Sequence, residues 1–274
     1  STWNFIKQLN IPVFITIHNI NTWLKPPFTL NRIALSNYYY RKKMLSKTSG
    51  LIVQEELFID HVKKNTNYKK PVFALPHTLK EYETTLPENK KLVVAIPGAI
   101  DGHRRDNDFS LSVIEKVSAK NKNVQFVFIG GIIGYLGEKI YARMQELKQK
   151  GCDILHYYDP NSNKIFDEQM SDCDIVFLPL IVETKYEGIT EIYGTTKVTG
   201  VLYDLMRFEK PCIVPHSLVI PPTMQNSVVS YHDKNSFVDM IIDLETNRPK
   251  VLQLLNNAKT NSEYYTVGNI KERF

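Results

Sequence analysis

The feature that most constrains this chain is a series of short apolar runs separated by amphipathic stretches of about ten residues. The runs are PVFITI at 12–17, LIVQ at 51–54, PVFAL at 71–75, LVVAI at 92–96, VQFVFI at 124–129, ILHY at 154–157, IVFLP at 175–179, CIV at 212–214 and VVSY at 228–231. Helical patterning fills most of the gaps, at 2–9, 32–47, 55–64, 109–119, 138–150, 165–171, 236–244 and 249–261. Near-continuous apolar strands alternating with helices are the signature of βαβ units and of parallel sheets covered on both faces. The polar, acidic segment after Lys80 has no periodicity and divides the series in two. The expected fold class is therefore α/β, with two Rossmann-like, doubly wound parallel-sheet domains. Residues 1–80 form the first, 81–90 a linker, 91–247 the second, and 248–274 a C-terminal helical segment.

Composition narrows the classes of function. The 274 residues carry a formal net charge of +5, spread along the chain, which suits anionic ligands and argues against a dedicated nucleic-acid binder. Three cysteines without a CxxC pair, each in or beside an apolar run, point to a reduced, cytoplasmic setting. No run reaches the roughly 18–20 apolar residues of a membrane span. The helix at 32–47 joins Tyr38, Tyr39 and Tyr40 to Arg41, Lys42, Lys43 and Lys47, which predicts either a solvated face or peripheral contact with an anionic membrane. HExxH, GxSxG and Walker motifs are all missing, and GGIIGYLG does not match GxGxxG. No metal or other cofactor is expected.

Ligands of open parallel sheets sit beyond the carboxyl ends of the strands. Two segments there stand out. Gly98 to Arg105, GAIDGHRR, joins backbone-permissive glycines to two arginines whose forks suit phosphate oxygens. The alternative is a solvated arginine pair, with Asp106 and Asp108 either pairing with the arginines or favouring the N-terminus of the next helix. The second segment runs from Glu187 to Pro215. Val201, Leu202, Leu205, Met206 and Phe208 give a helix ending at Glu209-Lys210-Pro211, with Thr199 or Gly200 as N-cap. Thr195, Thr196, Lys197 and Thr199 at its start form a candidate anion site. His18, after the first strand, is either a hydrogen-bonded loop residue or a donor to a sugar hydroxyl or a developing phosphate charge.

Taken together, PVFITIHN, PGAIDGHRRDNDFSLSVIEKV and YGTTKVTGVLYDLMRFEKPCIVP resemble the GT-B glycosyltransferases of group 1 (family 4). The resemblance implies transfer of a sugar from a nucleotide-diphosphate sugar to a saccharide, lipid-linked or small-molecule acceptor, without a metal and with retention of configuration. By position, Gly98 with Arg104 or Arg105 would hold the diphosphate, Thr196, Lys197, Thr199 and Gly200 would line the helix-end site, and His18 would lie near the transferred sugar. Glu183 and Glu191 have the seven-residue separation of the family's glutamate pair, but counting back from Lys210-Pro211 puts the family's ribose carboxylate at Asp204 instead. The start of the first domain, with its Gly-rich loop, is expected to be missing. Two other readings remain: a nucleotide-sugar epimerase using Asp101, Glu183 or Glu187, and a non-catalytic nucleotide-sugar-binding or scaffold domain.

Overall fold

Eleven strands form in a computed structural model describing residues 2–25, 32–77, 79–80, 90–160 and 162–273. In chain order they are β1 Phe14–Thr16, β2 Gly50–Val53, β3 Val72–Ala74, β4 Leu92–Pro97, β5 Val124–Ile129, β6 Ile154–Tyr157, β7 Ile175–Phe177, β8 Glu183–Tyr186, β9 Ile189–Ile192, β10 Cys212–Pro215 and β11 Val228–Tyr231. They belong to two packed units. One comprises Ser1–His77 and Val182–Thr199, the other Thr78–Ile181 and Gly200–Phe274. The expected linker lies almost wholly outside the described residues. Lys80 belongs to the second unit, where it pairs with Glu209 at 3.0 Å and with Glu263.

The second unit is a six-stranded, all-parallel sheet in the order β11-β10-β7-β4-β5-β6. Counted within the unit this is 6-5-4-1-2-3, the doubly wound order, whose direction of winding reverses between β4 and β7. Its strands are apolar almost throughout because both faces are covered. Phe126, Phe128, Phe177 and Phe237 are fully buried, each worth roughly 1.5–3 kcal/mol. Phe177 and Phe237 lie 4.4 Å apart between ring centres, and Phe109 stacks on Tyr231 at 4.9 Å.

In the first unit, β1, β2 and β3 form a parallel sheet in that order. Leu51, Val53, Phe58 and Val62 make the core on one face. The other face departs from the two-sided burial expected. There Phe14 packs edge-to-face on Phe73 at 5.6 Å over Gly50, and the two rings remain 42% and 40% exposed.

The β8–β9 hairpin is absent from the sequence reading. It turns through Glu187 and Gly188 at φ 51° and 78°, the left-handed pair of a tight primed turn. Glutamate is not an expected residue there. It is held by an ion pair to Arg41 at 2.8 Å and a hydrogen bond from Asn37. Arg41, counted with the basic face of helix Arg32–Lys47, is thus buried and engaged, while Lys42, Lys43 and Lys47 stay exposed. Among the described residues no helix is long and apolar enough to cross a membrane. The three cysteines are free, buried thiols, and burial pushes Cys173 up to about 11.

Candidate functional site

At the switch point of the second unit, β4 runs out through Pro97 into Gly98, whose φ of 106° only glycine adopts without strain. The loop after β4 is pinned to the end of β5 by the bond from Gly98 N to Ile129 O, 2.7 Å, and from Ile100 N to Gly131 O, 2.9 Å. On its other side it is tied to the loop after β7. Asp106 N donates to Pro179 O at 2.8 Å, Ile181 N donates to Arg104 O at 3.2 Å, and Arg105 bridges Leu180.

The two arginines do different things. Arg104 is exposed and paired with Asp101, its Nη2 2.9 Å and its Nε 3.0 Å from Oδ2. Asp101 also accepts from the amides of His103 and Arg104. Burial alone would raise its pKa, but these hydrogen bonds and the guanidinium hold it below the ordinary carboxylate value. Arg105 is 9% exposed and folds back over Gly98, so that a Cβ built there would meet Nη2 at 1.9 Å. Asp106 and Asp108 do not serve the arginine pair. Asp106 caps helix Asn107–Lys120 by accepting from Phe109 N, and Asp108 pairs with Arg143.

Asp204 stands on helix Val201–Arg207. Burial pushes its carboxyl up to about 7. Arg207 opposes that shift, Asp167 adds to it and Arg105 opposes it. Arg207 also forks onto Asp167, at 3.2 Å through both guanidinium nitrogens. The helix has only seven residues, and its N-cap Gly200 is exposed, with no side chain to close the first turn.

Thr196, Lys197 and Thr199 belong to the first unit, and Gly98, Arg104, Arg105, Gly200 and Asp204 to the second. Their segment is a turn following β9. The amides of Thr195, Thr196 and Lys197 all donate to Ile192 O, at 3.1, 2.8 and 3.2 Å. Those amides were expected at the start of the following helix. Thr196 is buried and its Oγ1 accepts from Ile192 N at 2.8 Å. Thr199 is also buried, and the ammonium of Lys197 sits over the rings of Tyr186 and Tyr193 at 5.7 and 5.3 Å.

The carboxyl edge of the first unit's sheet brings His18, Gln54 and His77 together. Gln54 Nε2 lies 3.3 Å from His18 Nδ1, His77 Nε2 lies 3.2 Å from the same atom, and the two imidazoles stack at 4.6 Å. Burial, then the charge of His18, lowers the pKa of His77. Gln54 ends a strand recognised from the sequence, but was passed over because an amide carries no titratable signature. Among the described residues no three His, Cys, Asp or Glu side chains are grouped to hold a metal ion.

The glutamate pair divides sharply. Glu183 is exposed on β8, whereas Glu191 is fully buried and accepts from Thr22 N and Thr22 Oγ1, both at 2.7 Å, at the start of helix Ile20–Leu24. Nothing local in the sequence signals a cap supplied from a residue so distant. Glu191→Ala is expected to cost roughly 2–4 kcal/mol in denaturant unfolding, since it orphans two buried donors to a carboxylate. Glu183→Ala should stay within about 0.5 kcal/mol of the parent. Equal losses from the two would contradict the assignment.

No family model matches the sequence, and no curated protein sequence matches it. Solved structures do match by fold. A mutant of S. aureus TarM in complex with fondaparinux, α-GlcNAc-glycerol and UDP aligns with TM-score 0.67 and 16% identity over 96% of this chain and 50% of its own. Anabaena HepE in complex with UDP and glucose gives 0.64 and 11% over 96% and 70%. The pneumococcal O-GlcNAc transferase GtfA in complex with UDP and GlcNAc gives 0.63 and 12% over 99% and 58%. The fold is that of the GT-B glycosyltransferases. The chain spans about half the length of TarM.

Proposed function

We propose that the chain is part of a glycosyltransferase that takes its sugar from a nucleoside-diphosphate sugar, with the donor held by the second unit. The observation that carries this reading is the seating of Arg105 over Gly98 in the loop after β4, at the switch point of a doubly wound sheet, where such folds bind nucleotides. Three of the structures sharing the fold were solved with UDP.

In transfer, the acceptor oxygen bonds to the anomeric carbon as the bond from that carbon to the β-phosphate oxygen breaks. Negative charge grows on the departing diphosphate, and a guanidinium already in place stabilises it without reorganisation. Arg105 takes this role and exposed Arg104 supplements it. Asp204 accepts from the ribose hydroxyls. His18, in the first unit, is a hydrogen-bond donor suited to a sugar oxygen. The epimerase reading is weakened because Asp101 and Glu187 are committed to Arg104 and Arg41.

Calorimetric titration with nucleoside diphosphates tests the donor site. Arg105→Ala should weaken binding by at least about tenfold, the worth of one charge-assisted contact. Arg104→Ala should weaken it less, because Asp101 already competes for that guanidinium. A folded chain that binds no nucleoside diphosphate would overturn the proposal. Binding without any transfer or donor hydrolysis by the full-length protein would favour a non-catalytic sugar-nucleotide module.

A further inference from the structure

Gln54 directly follows β2 at its carboxyl end and is 1% exposed. Its Nε2 donates to Ile17 O at 2.9 Å. A carbonyl can only accept, so this partner fixes which end of the amide is nitrogen. The same Nε2 has a second proton, and it faces Nδ1 of His18 at 3.3 Å. Because that nitrogen has nothing but protons to offer, Nδ1 must present its lone pair. A neutral imidazole with a lone pair on Nδ1 carries its proton on Nε2. Flipping the amide would set its oxygen against Ile17 O. In the orientation adopted, Oε1 is buried without a hydrogen-bond partner among the described residues, a cost borne to keep Nε2 where it is.

We propose that Gln54 is a positioning residue that holds His18 in the Nε2–H tautomer. The imidazole edge away from Gln54 is then a hydrogen-bond donor, suited to an oxygen of a sugar hydroxyl or a phosphate, and it cannot serve as a general base there. The His77 ring stacks on that of His18, its Nε2 3.2 Å from the same Nδ1, and leaves the choice of tautomer to Gln54. The identity of the oxygen rests on the glycosyl-transfer reading, whereas the tautomer does not.

Long-range proton–nitrogen NMR of the histidine side chains in the intact chain, with His18→Gln to assign the signals, reads the tautomer without any nucleotide. The parent should show His18 as the Nε2–H form. Gln54→Met should lower the ratio of Nε2–H to Nδ1–H by about tenfold, the scale of one hydrogen bond. Gln54→Glu, which places an acceptor where the donor stood, should invert it. An Nδ1–H form in the parent overturns the proposal with no variant needed, as does an unchanged ratio in either folded variant. Failure to bind nucleoside diphosphates would sink the transferase reading and leave these spectra untouched.

Discussion

Gly130→Ala is expected to destabilise the second unit by roughly 2–4 kcal/mol and to lower its melting temperature by about 5–15 °C. The cause is steric rather than conformational, for Gly130 is not among the positive-φ residues. Gly130 follows β5 beside the first residue after β4, and a Cβ there would stand 2.3 Å from Gly98 O and 2.5 Å from Gly98 C. Both atoms belong to backbone pinned by the bonds from Gly98 N and Ile100 N. Relief therefore requires the loop to lift off the sheet edge, and Arg105 is seated on that loop. Nucleoside-diphosphate affinity should fall by more than tenfold even at temperatures where the variant is folded. Gly200→Ala is the matched control. It has helical φ and ψ and nothing within 4 Å of a built Cβ, so it should change stability by no more than about 1 kcal/mol. A Gly130→Ala protein that melts within two or so degrees of the parent and binds nucleotide equally well would refute the tight seating of this loop.

How far these properties were legible in the sequence depends on how local their causes are. The strands LVVAIP and VQFVFI announce themselves because burial on both faces leaves no room for polar alternation, and their carboxyl ends could be found by counting. The strands also led to Gly98 and Arg105. The β8–β9 hairpin could not be found the same way. ETKYEGITEI has few apolar residues, its turn uses Glu-Gly in place of Asn-Gly or Asp-Gly, and what holds Glu187 at φ 51° is Arg41, nearly 150 residues away. The same non-locality hid the Glu191 cap on Thr22. With the hairpin unseen, Thr195 to Lys197 read as the threshold of a helix, whereas they close a turn on Ile192 O. Asp106, next to the arginines in sequence, serves the N-terminus of the following helix, while the turn at Gly102 brings Asp101 back onto Arg104.

Asp204→Asn is expected to change how stability depends on pH. Burial pushes the carboxyl up to about 7 in the folded chain, against an ordinary value of 3.8. Between roughly pH 4 and 7 the folded state binds more protons than the unfolded one, so stability increases as the pH is lowered through that window. Above pH 7 the carboxylate is ionised in both states, and its contribution is flat and at its least favourable. Three units at about 1.4 kcal/mol each set an upper bound of about 4 kcal/mol on the effect. Denaturant unfolding at pH 5, 6, 7 and 8 should show the variant gaining on the parent as pH rises, with the gap closing near pH 4. Parallel profiles would mean that burial does not perturb this group. The proposed use of the ionised carboxylate is acceptance of the ribose hydroxyls. Parent affinity for UDP, taken relative to the variant at each pH, should then rise between pH 6 and 8 and level off above about pH 8. An affinity ratio independent of pH, with the stability slope intact, would make Asp204 a strained core carboxylate and leave nucleotide recognition to Arg105 and its loop.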